Sequence, residues 1–130
     1  MKSAILIDDD PITNFINTEL LKKYTTIEVV TTYMTQEEVF SHLESLKPEK
    51  YPELVLIDIR MPMVDGFMMA FEMISNFPHL TKHSQIYFLS STLDPKDVEM
   101  AKGLPFSKGF LRKPLSKELL ETMFRTDPEN

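Results

Sequence analysis

The chain has 130 residues with ordinary shares of apolar and charged side chains, 42% and 26%, which suits one globular domain. Its net charge of −6 disfavours non-specific binding to nucleic acid or to an anionic membrane, and the lack of cysteine excludes disulfides and thiolate metal sites. No apolar run approaches the length of a membrane span, and the first one starts too near Met1 to follow a signal peptide. We therefore expect a cytoplasmic protein with no nucleic-acid or membrane partner.

Short apolar runs alternate with segments of helical periodicity, which is the pattern of βα units. Five strands are predicted, and in chain order they cover 4–7, 27–30, 54–57, 86–89 and 109–111. A helix is predicted after each strand. The residues that mark these helices are Ile12, Phe15, Ile16 and Leu20; Val39, Phe40, Leu43 and Leu46; Phe67, Ala70, Phe71 and Ile74; Asp94 and Pro95; and Leu119, Leu120, Met123 and Phe124.

Helix-capping and helix-ending residues set several of the predicted helix boundaries. Thr35 and Glu38 have the spacing of a capping box for the second helix, and Pro78 predicts the end of the third helix and a loop before the fourth strand. Residues 1–126 are expected to form the domain and residues 127–130 a frayed tail. The chain has no internal repeat or low-complexity segment.

The strands differ in apolar content, which predicts their order. The second and fifth are the least apolar and fit the edges of a sheet, whereas the other three fit its centre. The prediction is an α/β fold: a doubly wound parallel sheet in the order 2-1-3-4-5, with five helices on its two faces.

Acidic residues follow two of the most apolar strands. Asp8, Asp9 and Asp10 come directly after the first strand, and Asp58 comes directly after the third. Because neighbouring parallel strands end at the same edge of a sheet, Asp8, Asp9 and Asp58 should meet in one crevice. Like charges held so close require a cation or a shared proton. Asp10 precedes Pro11 and is instead predicted to cap the first helix.

Two further positions complete a pattern that resembles the receiver domain of bacterial response regulators over essentially the whole chain. Ser90 closes the fourth strand, and Lys113–Pro114 follows the fifth. Together with the Asp8–Asp9 pair and Asp58, these residues lie in order at the carboxyl ends of the strands. The resemblance implies the flavodoxin-like receiver fold and a cis peptide bond at Lys113–Pro114.

The resemblance also implies a role for each of these residues. Asp58 would be the phosphoacceptor, served by a sensor histidine kinase or a histidine phosphotransfer protein. Mg²⁺ would be held directly by Asp9, Asp58 and the backbone carbonyl of Arg60. Asp8 would reach the ion through a bound water. Lys113 would contact a phosphoryl oxygen, since phosphoryl transfer needs a positive group beside the nucleophile and the cation.

Some positions depart from the family's pattern. The switch hydroxyl, usually Thr followed by Ala, is Ser90 followed by Ser91. Phe110 occupies the aromatic switch position on the fifth strand, which is often Tyr, so coupling there is expected to rest on packing alone. Arg60 and Thr92 are expected to flank the acyl phosphate, with Arg60 lying over its oxygens and slowing hydrolysis.

The leading interpretation is a single-domain response regulator, which is not an enzyme beyond promoting its own phosphorylation and dephosphorylation. With no residues left for an effector domain, its output is expected to be a protein contact. The expected face consists of the helix after the fourth strand, the fifth strand and the closing helix.

Two alternatives remain open at this point. One is a Mg²⁺-dependent phosphatase-type hydrolase of the haloacid dehalogenase kind, whose Asp-x-Asp spacing Asp8 and Asp10 match, although a cap insert is lacking. The other is a degenerate receiver that serves as an adaptor, which the complete acidic set, Ser90 and Lys113 disfavour.

Overall fold

The computed structural model describes residues 3–124, which form a parallel sheet in the order β2-β1-β3-β4-β5. The strands are β1 Ser3–Ile7, β2 Val29–Tyr33, β3 Leu54–Asp58, β4 Gln85–Ser90 and β5 Ser107–Arg112. The predicted order and both edge strands are confirmed. The predicted bounds of the second strand are wrong, because its pairing with β1 runs from Val29 to Tyr33. The tail predicted at 127–130 lies outside the described residues.

Within residues 3–124 there are six α-helices, where the sequence predicts five. They are α1 Pro11–Tyr24, α2 Gln36–Glu44, α3 Gly66–Asn76, α4 Leu80–His83, α5 Pro95–Gly103 and α6 Lys117–Phe124. The additional helix, α4, is a single turn in the segment predicted as a loop. Pro78 ends one helix but does not prevent a new turn two residues later, and the buried side chain of Leu80 anchors that turn in the core.

Five helices begin at side-chain caps that satisfy a free backbone N–H of the first turn. The capping residues are Asp10, Thr35, Asp65, Asp94 and Ser116. Only half of the predicted capping box at α2 forms. Thr35 accepts a hydrogen bond from the N–H of Glu38, at 3.2 Å, but the carboxylate of Glu38 accepts from the N–H of Met34 instead of Thr35.

The sheet separates two apolar layers. Val55 and Ile57 of β3 face one layer, which contains side chains from α2, α3 and α5. Leu54 and Leu56 face the other layer, which contains side chains from α1 and α6. This alternation leaves the carboxyl ends of the strands as the place where polar side chains from several elements meet. Among the described residues, no helix is both long and apolar enough to cross a membrane.

Helix α1 forms where predicted, but of its four predicted apolar residues only Leu20 packs against the core. Ile12 and Phe15 are 70% and 67% exposed, and Ile16 is exposed as well. The side chains that α1 buries are Asn14, Asn17 and Leu21. Two buried amides replace apolar side chains because they bind loop backbone at the carboxyl edge of the sheet.

Candidate functional site

The structure brings the carboxylates of Asp8, Asp9 and Asp58 together, with one oxygen from each within 4.8 Å of the others. The cause is the pairing of β1 with β3, whose last pair joins Ile7 and Ile57, so both strands end at the same level. Asp8 and Asp58 are buried, whereas Asp9 is exposed. The three carboxylates form the crevice that the sequence predicts, and they are called the acidic cluster below.

Asp10 stands outside the acidic cluster. Its two carboxylate oxygens accept hydrogen bonds from the backbone N–H of Ile12, at 3.0 Å, and from the hydroxyl of Thr13, at 2.9 Å. Asp10 is therefore the cap that the sequence predicts. The Asp-x-Asp spacing that suggested a hydrolase does not produce a pair of acids facing one site.

Lys113 lies between the two buried acids. Its Nζ is 2.8 Å from Oδ2 of Asp8 and 3.3 Å from Oδ1 of Asp58. The peptide bond between Lys113 and Pro114 is cis, as the resemblance implies. The backbone N–H of Lys113 donates to the carbonyl of Ser90, at 2.8 Å, which ties the end of β5 to the end of β4. Lys113 therefore offsets part of the negative charge in the crevice.

The electrostatics of the site fit a divalent cation. Burial and then the charge of Asp8 raise the pKa of Asp58 to about 6, against the opposing effects of Lys113 and a hydrogen bond from the N–H of Arg60. Burial acts to lower the pKa of Lys113, but its hydrogen bonds and charge interactions with Asp8 and Asp58 outweigh burial and raise it. One ammonium faces three carboxylates. The remaining negative charge and the all-oxygen donors are the chemistry that Mg²⁺ prefers.

The loop after β3, residues 59–65, closes tightly against Asp58. Arg60 and Asp65 form an antiparallel bridge within it, and the N–H of Gly66 donates to the carbonyl of Ile59, at 2.9 Å. A Cβ on Gly66 would lie 2.3 Å from the backbone oxygen of Asp58. Only glycine fits that approach. Asp65 and Gly66 therefore have a structural role, in which they form a turn and start the helix α3.

Ser90 and Phe110 lie on the face of the sheet that α3 and α5 cover. Ser90 is buried, and its Oγ accepts a hydrogen bond from the N–H of Thr92 at 3.1 Å. Phe110 pairs with Phe88 across β4 and β5, is half-buried and packs against the core of that face. The hydroxyl and the aromatic side chain are thus placed on adjacent strands and the same face.

Arg60 differs from expectation. Its Nη2 lies 2.5 Å from Oδ2 of Asp97 and 3.5 Å from Oδ2 of Asp94, both in the first turn of α5 or its cap. In the unphosphorylated chain the guanidinium does not lie over Asp58, because these two carboxylates offer it a closer partner.

At the carboxyl edge of the sheet, sequence reasoning missed three buried polar residues. Asn14 donates through Nδ2 to the carbonyl of Asp8, at 2.9 Å, and Asn17 accepts from the N–H of Leu115, at 3.3 Å. Asp97 is the third. The spacing of apolar residues does not reveal polar side chains that occupy core-facing positions of a helix. The spacing of Asp97 and Ala101, one turn apart, was the available signal.

The comparisons with known proteins agree with this geometry. Residues 4–125 match the response regulator receiver domain model. No curated protein matches the chain at a significant level. Among solved structures, a two-component response regulator from Cytophaga hutchinsonii is 28% identical with a TM-score of 0.86, over 94% of this chain and 92% of that one. A response regulator receiver protein from Dyadobacter fermentans is 25% identical with a TM-score of 0.81, over 97% and 100%.

The Mn²⁺-bound response regulator Rcp1 shares the fold, at 22% identity and a TM-score of 0.70 over 94% of this chain and 88% of that one. Receiver domains are signalling phosphoacceptors that bind Mg²⁺ at an acidic pocket and interact with histidine kinases or phosphotransfer proteins and with downstream targets. The family match, at residues 4–125, spans nearly the whole sequence. The chain therefore belongs to the response regulator receiver domain family.

Proposed function

We propose that Asp58 accepts a phosphoryl group from the phosphohistidine of a sensor histidine kinase or a histidine phosphotransfer protein. A carboxylate oxygen of Asp58 would attack the phosphorus, the phosphorus–nitrogen bond would break, and the departing imidazole would take up a proton. The observation that carries the proposal is the position of Asp58, buried at the centre of the acidic cluster with Lys113 at 3.3 Å. With a pKa of about 6, Asp58 is mostly ionised at neutral pH and can act as the nucleophile.

Mg²⁺ would be held by Asp9, Asp58 and the backbone carbonyl of Arg60, and Asp8 would reach it through water. The exposed carboxylate of Asp9 supports direct ligation. Asp8 already accepts hydrogen bonds on both of its carboxylate oxygens, which supports an indirect role. When bound, the cation stabilises negative charge on the phosphoryl oxygens and helps to orient them. The Mn²⁺-bound state of Rcp1 shows that a protein of this fold takes a divalent cation.

Ser90 and Lys113 would bind the phosphoryl oxygens of the modified Asp58. The Oγ of Ser90 accepts from the N–H of Thr92 and lies 3.2 Å from the Thr92 hydroxyl, and rotation of its O–H would let it donate to a phosphoryl oxygen. Movement of Ser90 toward the phosphoryl group would vacate space that Phe110 can enter, which shifts an equilibrium between two packings. The output would be a protein contact on the face built from α5, β5 and α6. The exposed apolar side chains of α1 beside the acidic cluster support approach by a protein donor.

Intact-mass measurement tests the proposal. With acetyl phosphate and Mg²⁺, the wild type should gain the mass of one phosphoryl group and Asp58→Asn should gain none. Asp10→Asn is the matched control, because Asp10 is a nearby acid outside the acidic cluster and asparagine caps a helix equally well. Equal phosphorylation of the wild type and Asp58→Asn would refute Asp58 as the acceptor.

A further inference from the structure

Arg60 connects the acidic cluster to helix α5. Its backbone N–H donates to the carboxylate of Asp58, while its guanidinium pairs with Asp97 at 2.5 Å and Asp94 at 3.5 Å. Asp94 is the N-cap of α5, and Asp97 lies in the first turn. A single residue therefore contacts both the proposed phosphoacceptor and the start of a helix on the proposed output face.

The two partners in the Arg60–Asp97 ion pair differ in burial. Asp97 occupies a core-facing position of α5, one turn before the buried Ala101, and is only 8% exposed. A carboxylate buried at such a position needs a cation or hydrogen-bond donors as partners. The side chain of Arg60 is 59% exposed, so it can leave without a desolvation penalty of its own. If Arg60 leaves, Asp97 and the first turn of α5 must move toward solvent.

We propose that Asp97 is a positioning residue that holds Arg60 on α5 in the unphosphorylated protein, and that an acyl phosphate on Asp58 draws the guanidinium away. The inference rests on the proposed phosphorylation of Asp58. A phosphoryl group offers three acceptor oxygens and about two negative charges, more than the carboxylate of Asp97. The backbone of Arg60 already lies at Asp58, so rotation of the side chain is the movement required.

Ser90 connects the same turn of α5 to the site by a second route. The N–H of Thr92 donates to Oγ of Ser90 at 3.1 Å, and Thr92 lies two residues before the cap Asp94. A phosphoryl group that binds Ser90 and Arg60 would therefore change the contacts of both residues with the start of α5. Loss of the Arg60–Asp97 ion pair is what releases the helix.

Two substitutions should change phosphoryl lifetime in opposite directions. Asp97→Asn frees Arg60 to cover the acyl phosphate, so decay of the phosphorylated protein should slow by about two- to five-fold. Arg60→Gln removes the cover and should speed decay by a similar factor. The double variant should decay like Arg60→Gln. If Asp97 had only a structural role, Asp97→Asn and Arg60→Gln would not change the decay rate in opposite directions. The effect of Asp97→Asn would also not depend on the presence of Arg60.

NMR of the unphosphorylated variants provides a second readout. Amide shifts of 94–103 in Asp97→Asn should move toward the positions that beryllofluoride, an acyl-phosphate mimic, produces in the wild type. Asp97→Leu puts an apolar side chain at the same core-facing position, so it should fold, free Arg60 and leave the first turn of α5 in place, because no polar group remains to be drawn into solvent. Asp94→Asn, which keeps the cap and removes the longer contact, should give a smaller displacement than Asp97→Asn.

The outcomes separate this inference from the proposed function. If the wild type gains no phosphoryl mass on Asp58, the proposed function fails and the positioning role fails with it. If all variants are phosphorylated but Asp97→Asn and Asp97→Leu decay like the wild type, or faster, the positioning role alone is overturned. Unmoved α5 amides in Asp97→Asn would overturn it as well.

Discussion

Asp58 is held where its ionised form destabilises the folded protein. Burial and the charge of Asp8 raise its pKa from 3.8 to about 6, and Lys113 offsets only part of this effect. Between these two pKa values the folded state binds more protons than the unfolded state. Stability of the metal-free protein should therefore fall as the pH rises through this window and stay level above it.

Asp58→Asn should remove this pH dependence. In the metal-free protein at neutral pH, we expect the variant to be more stable than the wild type by about 1–3 kcal/mol. Below about pH 3, where the carboxyl is largely protonated in both states, the difference should vanish. Denaturant unfolding in the presence of EDTA measures both values. Equal stability at neutral pH would contradict the raised pKa.

Mg²⁺ binding should depend more on Asp9 than on Asp8. Asp9 is the exposed member of the acidic cluster, whereas Asp8 is occupied by Lys113, at 2.8 Å, and by the N–H of Asp10, at 2.9 Å. Titration of the unphosphorylated protein by NMR should show a larger loss of affinity in Asp9→Asn than in Asp8→Asn. The reverse order, or wild-type affinity in Asp9→Asn, would contradict the assignment of ligands.

At the scale of elements, a bulge in β5 sets the place of Phe110. Ile86 pairs with Ser107 and Tyr87 with Gly109, so the register between β4 and β5 shifts there. Gly109 has a φ of +142°, and its N–H donates to the hydroxyl of Ser107 at 3.0 Å. The bulge lets Phe110 pair with Phe88 and pack on the α5 face of the sheet.

Gly109→Ala should destabilise the protein by about 1–2 kcal/mol, because a side chain strains the backbone at positive φ even though no atom lies within 4 Å of the added Cβ. Gly103→Ala is the matched control: its Cβ also meets nothing within 4 Å, and it lies in α5 where alanine is favoured. Thermal or urea unfolding should therefore give opposite signs for the two variants. Equal effects would refute a conformational role for Gly109.

The sequence predicts these elements to different degrees. Apolar content correctly orders the strands, because burial on both faces of a parallel sheet favours unbroken apolar runs such as 54–57. It fails at β2, an edge strand with a weaker pattern, where register with β1 decides the bounds. It fails again at α4, since a proline marks where a helix ends and does not show whether a new turn begins.

For the whole molecule, the site is assembled from the ends of four strands. Asp8 follows β1, Asp58 ends β3, Ser90 ends β4 and Lys113 follows β5. Their convergence could be predicted because parallel strands share a carboxyl edge. The ion pair of Arg60 with a buried acid 37 residues later depends on packing of α5, and no local pattern shows it.

This assembly predicts that a change at Asp58 spreads along the last third of the chain. Beryllofluoride should shift amides from Asp58 through residues 90–113, because Ser90, Phe110 and Lys113 connect the crevice to β4, α5 and β5. Shifts confined to the acidic cluster, as measured by NMR, would contradict this coupling.

Chemical mapping of the phosphorylated residue shows directly whether Asp58 is the phosphoacceptor. The protein is phosphorylated with acetyl phosphate and Mg²⁺, the acyl phosphate is reduced with borohydride, and the modified residue is located by peptide mass spectrometry. Reduction converts a phosphorylated aspartate to homoserine, and we expect that product at position 58 and none at Asp8 or Asp9. Homoserine at either of those positions instead, or an unmodified position 58, would contradict it.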